Sequence, residues 1–111
     1  MTEQLLIYQK FYDFILAFYP VINHIPKSHR LVMGRHLEEL CLLLLTLIIK
    51  ANRERGNNRT ILQTQISDEL DVLRILVRLS KDLKFMSIKQ YTLIAERLNE
   101  VGKMVYSWTH I

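Results

Sequence analysis

The sequence has few residues that break helices or cross-link chains. Among its 111 residues there are three glycines, two prolines and one cysteine. The scarcity of glycine and proline argues against disorder and against a loop-rich fold. A lone cysteine cannot form an internal disulfide, so the chain fits a reducing compartment. Because Cys41 lies in an apolar run, we interpret it as a small core residue rather than a nucleophile.

Long apolar runs and secretion signals are also missing. The strongest apolar run covers residues 40–49, whereas a membrane-spanning helix needs about 20 apolar residues. The first ten residues, MTEQLLIYQK, lack the basic region and the cleavage site of a signal peptide. We therefore predict a soluble, cytoplasmic protein with no membrane partner.

Motifs for catalysis and metal binding are absent from the sequence. There is no H-E-x-x-H, C-x-x-C or Glu-x-x-His spacing and no glycine-rich phosphate loop. His29 and His36 would lie about 10 Å apart along a helix, which is too far for both to bind one metal ion. These absences predict a protein that is not an enzyme and has no cofactor or metal.

What the sequence does contain is helical periodicity, and hydrophobic residues make up 50% of it. Apolar residues recur at steps of three and four in four segments, at about 3–22, 28–53, 60–85 and 87 to near the C-terminus. Short connections between helices of similar length are typical of bundles. The pattern predicts an all-α fold, an antiparallel up-down-up-down four-helix bundle that forms a single domain over residues 1–111.

The spacing also predicts which residues face the core. In the first segment the predicted face is Leu5, Tyr8, Tyr12, Ile15 and Tyr19. In the second it is Leu37, Leu40, Leu44, Leu47 and Ile48. In the fourth it is Ile88, Tyr91, Ile94, Ala95, Leu98, Val101, Val105 and Trp108.

Helix boundaries follow from the turn and capping residues. Pro20 should kink or stop the first helix, and Ser28 should cap the second. Residues 53–59, with the sequence RERGNNR, form the clearest loop. Two capping boxes are predicted, Thr60 with Gln63 and Ser87 with Gln90.

The third segment carries more apolar surface than one bundle needs. Its apolar residues comprise Leu70, Leu73 and Val77 on one side, Val72, Ile75 and Leu79 on the other, and Leu76 and Leu83 between them. This sector covers more than half of the helix circumference, and exposed apolar patches of that size usually mark interfaces. We therefore predict a homo-oligomer; the alternative is that neighbouring helices cover the whole sector. Gly102, inside the fourth helix, suggests a close helix crossing.

Basic residues form three clusters in a chain of net charge +4 and pI about 9.4. The first is a helical stripe of Arg74, Arg78 and Lys81; the second is Lys27, His29, Arg30 and Arg35; the third is Arg53, Arg55 and Arg59. Repeated in an oligomer, these clusters would bind RNA, or alternatively DNA, by shape and charge rather than by base reading. The competing interpretation is that Asp71 and Asp82 simply neutralise the stripe through intrahelical salt bridges.

The segment His24–Arg30, HIPKSHR, is the least regular part of the sequence. Pro26 indicates a corner between the first two helices. Lys27, His29 and Arg30 would then contribute to an anion-binding rim, whereas metal binding or acid–base chemistry is the least favoured role.

Three stretches resemble the accessory variability determinant proteins of diversity-generating retroelements. They are the series YP…IPKSHR…G from Tyr19 to Gly34, LRILVRLSKDLKFMSIKQY from Leu73 to Tyr91, and EVGKMVYSW from Glu100 to Trp108. The wider group includes four-helix proteins encoded in intervening sequences of bacterial large-subunit ribosomal RNA genes. The resemblance extends over nearly the whole chain, and the Leu-Arg-x-x-x-Arg-Leu run with the Trp ending is the part specific to the retroelement branch.

The resemblance implies a four-helix protomer that assembles into a basic, barrel-like pentamer. It implies binding to the reverse transcriptase and template RNA of the element, in support of mutagenic cDNA synthesis and diversification of a target gene. Arg74 and Arg78 match the paired arginines of the family, and Lys27 and His29 match its basic corner. Two alternatives stay open: an intervening-sequence-type bundle that assembles with itself or binds ribosomal RNA, and a bundle with a small-ligand pocket in its core.

Overall fold

The computed structural model describes the backbone of residues 3–110 and the side chains of residues 6–110, and within this range it contains four helices and no strand. Helix α1 is Glu3–Asn23. Helix α2 has three consecutive segments, an α-turn at Lys27–His29, a wider π-helical turn at Arg30–Gly34 and an α-helix at Arg35–Arg53. Helix α3 is Gly56–Asp82 and helix α4 is Ile88–Thr109.

Each helix packs against its neighbour in sequence, and α1 also packs against α4, so the chain closes a four-helix ring. The described part is elongated, measuring 44 × 23 × 19 Å. Because the connections are short, neighbouring helices run antiparallel. The predicted all-α four-helix bundle is confirmed.

The core-facing residues of α2 and α4 largely follow the prediction. All five residues predicted for α2, Leu37, Leu40, Leu44, Leu47 and Ile48, are buried. In α4 the buried residues are Ile94, Leu98, Val101, Val105 and Trp108. The prediction failed at the start of α4, where Ile88 is 77% exposed because it lies at the end of the bundle with no helix beyond it.

For α1 the predicted face was wrong. The buried series is Ile7, Phe11, Phe14, Phe18 and Ile22. Of the predicted residues, Tyr12 is 43% exposed, three are partly buried, and the side chain of Leu5 lies outside the described part. Both series have helical spacing, but the phenylalanines have no hydroxyl group that must stay hydrated, so their burial is more favourable. Successive phenylalanine rings also pack together, with centroids 5.5 and 5.2 Å apart.

The corner between α1 and α2 is confirmed, but its details differ from the prediction. A kink or a stop was predicted at Pro20, and the stop is wrong, because helix α1 continues through Pro20 to Asn23. Helix α2 then begins at Lys27, and its N-cap residue is Pro26 rather than the predicted Ser28. The π-helical turn that follows was not predicted, since no residue pattern distinguishes it from an α-helical turn.

The predicted loop at 53–59 is shorter in the structure, because only Glu54 and Arg55 are non-helical. Gly56 adopts a positive φ of 59° as the first residue of α3, a conformation that glycine takes without steric cost, and the chain reverses there. The predicted Thr60–Gln63 capping box is therefore wrong. Thr60 lies one turn inside α3, where its hydroxyl donates to the Gly56 carbonyl oxygen, and Gln63 is buried.

Helix α3 ends at Asp82, three residues before the predicted end. The Lys84 and Phe85 N–H groups donate to the Lys81 and Ser80 carbonyl oxygens, and Lys84 adopts a φ of 65°. This is a Schellman motif. The second capping box is confirmed, because the Gln90 N–H donates to Ser87 Oγ and the Ser87 N–H donates to Gln90 Oε1.

Cys41 is fully buried in the core, as predicted. Burial, followed by the negative charge of Glu38, raises the pKa of its thiol from 9.0 to about 12. The thiol is therefore neutral and unreactive at physiological pH. In the range 3–110, none of the helices combines the length and apolar character that a membrane crossing requires.

Candidate nucleic-acid and partner interface

The basic stripe, Arg74, Arg78 and Lys81, lies on the side of α3 that faces α4. Arg74 and Arg78 line a surface groove of about 270 Å³ together with Tyr91, Ala95 and Leu98 of α4. The Arg74 and Arg78 side chains are 40% and 73% exposed. The two arginines are thus held at a helix–helix groove while remaining accessible to a partner.

Acidic residues accompany every member of the basic stripe. Arg74 lies 3.2 Å from Asp71, Arg78 lies 3.9 Å from Asp82, and Lys81 lies 3.2 Å from Asp82. The salt bridges of Asp71 and Asp82 with the stripe, which the sequence suggested as a competing interpretation, are therefore present. Exposed pairs of this kind contribute only about 0–1 kcal/mol each, because solvent screens them and side-chain ordering opposes them. They leave the arginines free to exchange an intrahelical carboxylate for a phosphate or for an acidic side chain of a partner.

Gly102 of α4 makes room for the Arg74 side chain. A Cβ atom at position 102 would overlap Nη2 of Arg74. The close crossing that Gly102 suggested is thus a contact between a helix backbone and a guanidinium group of the same subunit. The glycine positions Arg74 across the α3–α4 groove.

The corner cluster, Lys27, His29, Arg30 and Arg35, divides into exposed and structural residues. Arg30 donates from Nε and Nη2 to the Ile25 carbonyl oxygen, at 3.3 and 3.2 Å, and so stabilises the end of the corner. His29 stacks on Phe85 with ring centroids 4.3 Å apart. Lys27 is exposed. The stack places the corner cluster at the same end of the bundle as the α3–α4 connection.

The third cluster lies at the opposite end of the bundle. Arg59 is roughly 28 Å from Arg78 along α3, at 1.5 Å per residue. Its Nε donates to the Ala51 carbonyl oxygen at 3.0 Å and its Nη2 to that of Asn52 at 3.4 Å. Arg59 therefore stabilises the C-terminus of α2. The predicted site residues thus do not form one surface: Arg59 is separated from the basic stripe and the corner cluster.

The surplus apolar residues of α3 are exposed in the protomer, as the sequence indicated. We call Val72, Ile75 and Leu79 of α3, together with Leu83 at its C-cap, the outer apolar face; each is between 41% and 67% exposed. In α2 the most exposed apolar residues are Leu31 and Val32 of the π-helical turn, at 79% and 77%. The neighbouring helices of the same chain do not cover this surface.

Sequence reasoning missed a second groove, at the end where α3 connects to α4. We call it the end groove; it has a volume of about 840 Å³ and combines residues from the α1–α2 corner, the connection and the start of α4. His24, Lys84, Phe85 and Tyr91 line it. His24 belongs to the α1–α2 corner and the other three lie within residues 84–91, so no local pattern could have grouped them with His24.

No cluster of His, Cys, Asp and Glu that could hold a metal ion occurs among the residues that the structure describes.

A model of the family described as bAvd-like matches residues 5–111. The matched range includes the corner cluster, the basic stripe and almost all of the four helices. No curated protein matches the sequence.

Proposed function

The chain belongs to the bAvd-like family, an accessory protein family, and from this membership we propose that it is a non-catalytic accessory subunit of a diversity-generating retroelement. In this role it binds the reverse transcriptase and the template RNA of the element through its basic surface. Binding supports mutagenic cDNA synthesis and diversification of the target gene. DNA is an alternative ligand for the same surface.

The observation that carries the choice of binding surface is the position of the basic stripe. Arg74 and Arg78 line the α3–α4 groove in exposed positions, and Gly102 leaves space for the first of them. Their carboxylate partners are held only by surface ion pairs, which a polyanion can replace. A helix–helix groove with two such arginines suits a sugar–phosphate backbone or an acidic protein segment.

The proposed assembly is a homo-oligomer, with a pentamer as the expected form. The outer apolar face and the exposed residues of the π-helical turn would be covered by neighbouring subunits. Because every subunit contributes one basic stripe, assembly multiplies the number of phosphate contacts. Nucleic-acid affinity should therefore depend steeply on salt.

The direct test is binding of fluorescently labelled template RNA to the double variant Arg74→Ala with Arg78→Ala across a series of salt concentrations. Affinity should fall, and the slope of log K against log salt should become less steep by about 1 per lost phosphate contact. The matched control is Arg97→Ala with Lys103→Ala, which removes two exposed positive charges outside the three clusters. Equal binding by the two double variants would contradict the role of the stripe.

Pull-down of the reverse transcriptase with the same variants tests the second partner. The reverse transcriptase of the element should be retained by the wild type and the control, and less by the stripe variant. A chain that binds ribosomal RNA but not the polymerase would instead be of the intervening-sequence type.

A further inference from the structure

The end groove combines positive charge with aromatic surface. The charged and aromatic residues of its lining are His24, Lys81, Asp82, Lys84, Phe85 and Tyr91. Its volume of about 840 Å³ is within the range of pockets that bind small ligands. It is continuous with the basic stripe through Lys81, which belongs to both.

The charged residues of the end groove favour an anion. Lys81 and Lys84 contribute two positive charges, and Asp82 contributes one negative charge that is shared with Lys81 and Arg78. His24 Nδ1 lies 2.7 Å from the Pro20 carbonyl oxygen. Since a carbonyl oxygen can only accept, Nδ1 carries a proton, and Nε2 is the ring nitrogen that remains for a ligand.

Two aromatic rings complete the groove. Lys81 Nζ lies 4.6 Å from the centroid of the Tyr91 ring, in a cation–π contact. Phe85 is held by its stack on His29, at a centroid separation of 4.3 Å. Both rings line the groove next to the lysines. A ligand with a flat ring and a phosphate would match this arrangement of groups.

Lys84 occupies a position at which lysine is unfavourable for the backbone. Its φ of 65° lies in the left-handed region, and it takes the place in the Schellman motif that glycine usually fills. A glycine would close the same turn without strain. The backbone turn therefore does not require a lysine, whereas the Lys84 ammonium group adds positive charge to the groove.

We propose that the end groove binds an unpaired nucleotide of single-stranded RNA, with its base stacked on the aromatic rings and its phosphate on Lys81 and Lys84. The proposal rests on the proposed function and deepens it, because it assigns the recognition of single-stranded RNA to a site beside the basic stripe. A nucleotide in a duplex could not enter, since its base is stacked and paired. The groove thus selects unpaired segments, and the stripe binds the adjoining backbone.

The test is fluorescence anisotropy with a labelled single-stranded RNA and with the same sequence as a duplex. The wild type should prefer the single strand. Tyr91→Leu, which keeps apolar bulk without the ring, should weaken single-strand binding about tenfold, because losing one stacked base has an effect of this order. Tyr91→Phe keeps the ring and should bind like the wild type.

Lys84→Gly separates binding from stability. This variant should melt at the same temperature as the wild type or higher, yet bind the single strand more weakly and with a shallower salt slope. Lys89→Ala is the matched control, because Lys89 is an exposed lysine at the same end of the bundle that does not line the groove. It should change affinity less than twofold, since Lys89 lies outside the groove lining and solvent screens its charge.

Several outcomes would overturn the proposal. Equal affinity for single strand and duplex would do so, as would wild-type binding by both Tyr91→Leu and Lys84→Gly. If those variants bind normally while the Arg74→Ala, Arg78→Ala protein does not, the end groove is not a nucleotide site and the proposed function stands. If the wild type binds neither RNA, both fail. Saturable binding of an acidic peptide in place of RNA would reassign the groove to a protein partner.

Discussion

The two faces of α3 have similar residues and different environments. The inner face, with Leu70, Leu73 and Val77, is at most 2% exposed, whereas the outer apolar face is at least 41% exposed. Both faces consist of leucine, isoleucine and valine at helical spacing. The difference shows that apolar periodicity identifies surfaces that avoid water but does not identify what covers them. The inner face is covered by the same chain, and we expect the outer face to be covered by another copy.

The largest expected effect comes from truncating the inner face. Leu73→Ala should lower the free energy of unfolding by about 2–5 kcal/mol, because it removes buried methyl groups and leaves a cavity. Leu79→Ala is the matched change on the outer apolar face. Under conditions where the protein is monomeric, it should cost less than about 0.5 kcal/mol. Urea denaturation of both variants measures the difference, and equal losses would remove the distinction between the faces.

A second prediction uses the buried Cys41 thiol to test how well the core excludes solvent. Its pKa is raised from 9.0 to about 12 in the folded protein, so the unfolded chain loses the proton first as the pH rises. Stability should therefore be unaffected below pH 9.0 and decrease above it, by up to about 1.4 kcal/mol per pH unit.

The measurement is urea denaturation of the wild type and of Cys41→Ala between about pH 8 and pH 10.5. The alanine variant should be less stable, but its unfolding free energy should lack the decrease above pH 9.0 that the thiol causes. If the unfolding free energies of the two proteins have the same pH dependence, the thiol titrates at its ordinary pKa and the core around Cys41 is open to solvent.

The third prediction concerns the edge between the two faces, where Arg74 crosses Gly102. In the background Arg74→Ala, changing Gly102→Ala should stabilise the protein by about 1 kcal/mol, because alanine favours a helix. With Arg74 present, the new methyl group displaces the guanidinium and breaks its ion pair with Asp71, so most of this gain should be lost.

A double-mutant cycle by thermal or chemical unfolding measures the coupling, and RNA binding by Gly102→Ala provides a second readout. If the changes in unfolding free energy of the two single variants add up to that of the double variant, and RNA affinity is unchanged in Gly102→Ala, then Gly102 does not position Arg74.

The smallest effect on protomer stability is expected from Ile75→Glu on the outer apolar face. Ile75 is 67% exposed, so a charge there should change the unfolding free energy of the isolated protomer by less than about 0.5 kcal/mol. The same change should prevent assembly, since it would place an unpaired charge in an apolar interface. Light scattering at micromolar concentration should give the mass of a protomer for the variant and a larger mass for the wild type. A wild-type protein that is monomeric under these conditions would contradict the proposed assembly.

Sequence reasoning succeeded where the determining interactions are local. The core face of α2 was identified because Leu37, Leu44 and Ile48 recur at steps of seven and four, which places them on one side of a helix. The Ser87–Gln90 capping box was identified because its two hydrogen bonds involve residues three positions apart. The surplus of apolar residues on α3 was also correct, since it depends only on the angular spacing of side chains.

The candidate site was predicted less completely. Arg74, Arg78 and Lys81 do form a stripe, but Arg30 and Arg59 hydrogen-bond to backbone carbonyls of residues that precede them by five to eight positions. A basic residue near a helix end has the same appearance in sequence whether it binds a ligand or stabilises a chain reversal. The end groove escaped prediction because it brings His24 and Pro26 of the α1–α2 corner against residues 81–92, a contact that no local pattern predicts.

The sequence alone determined the number and order of the helices, the core position of Cys41 and the excess of apolar surface on α3, since these depend on spacing within single segments. Only the tertiary structure decided which stripe of α1 is buried, which arginines stabilise the backbone, and that Gly102 accommodates Arg74. These outcomes depend on which segments meet across the bundle, where small differences in desolvation and packing select one among several surfaces with the same periodicity.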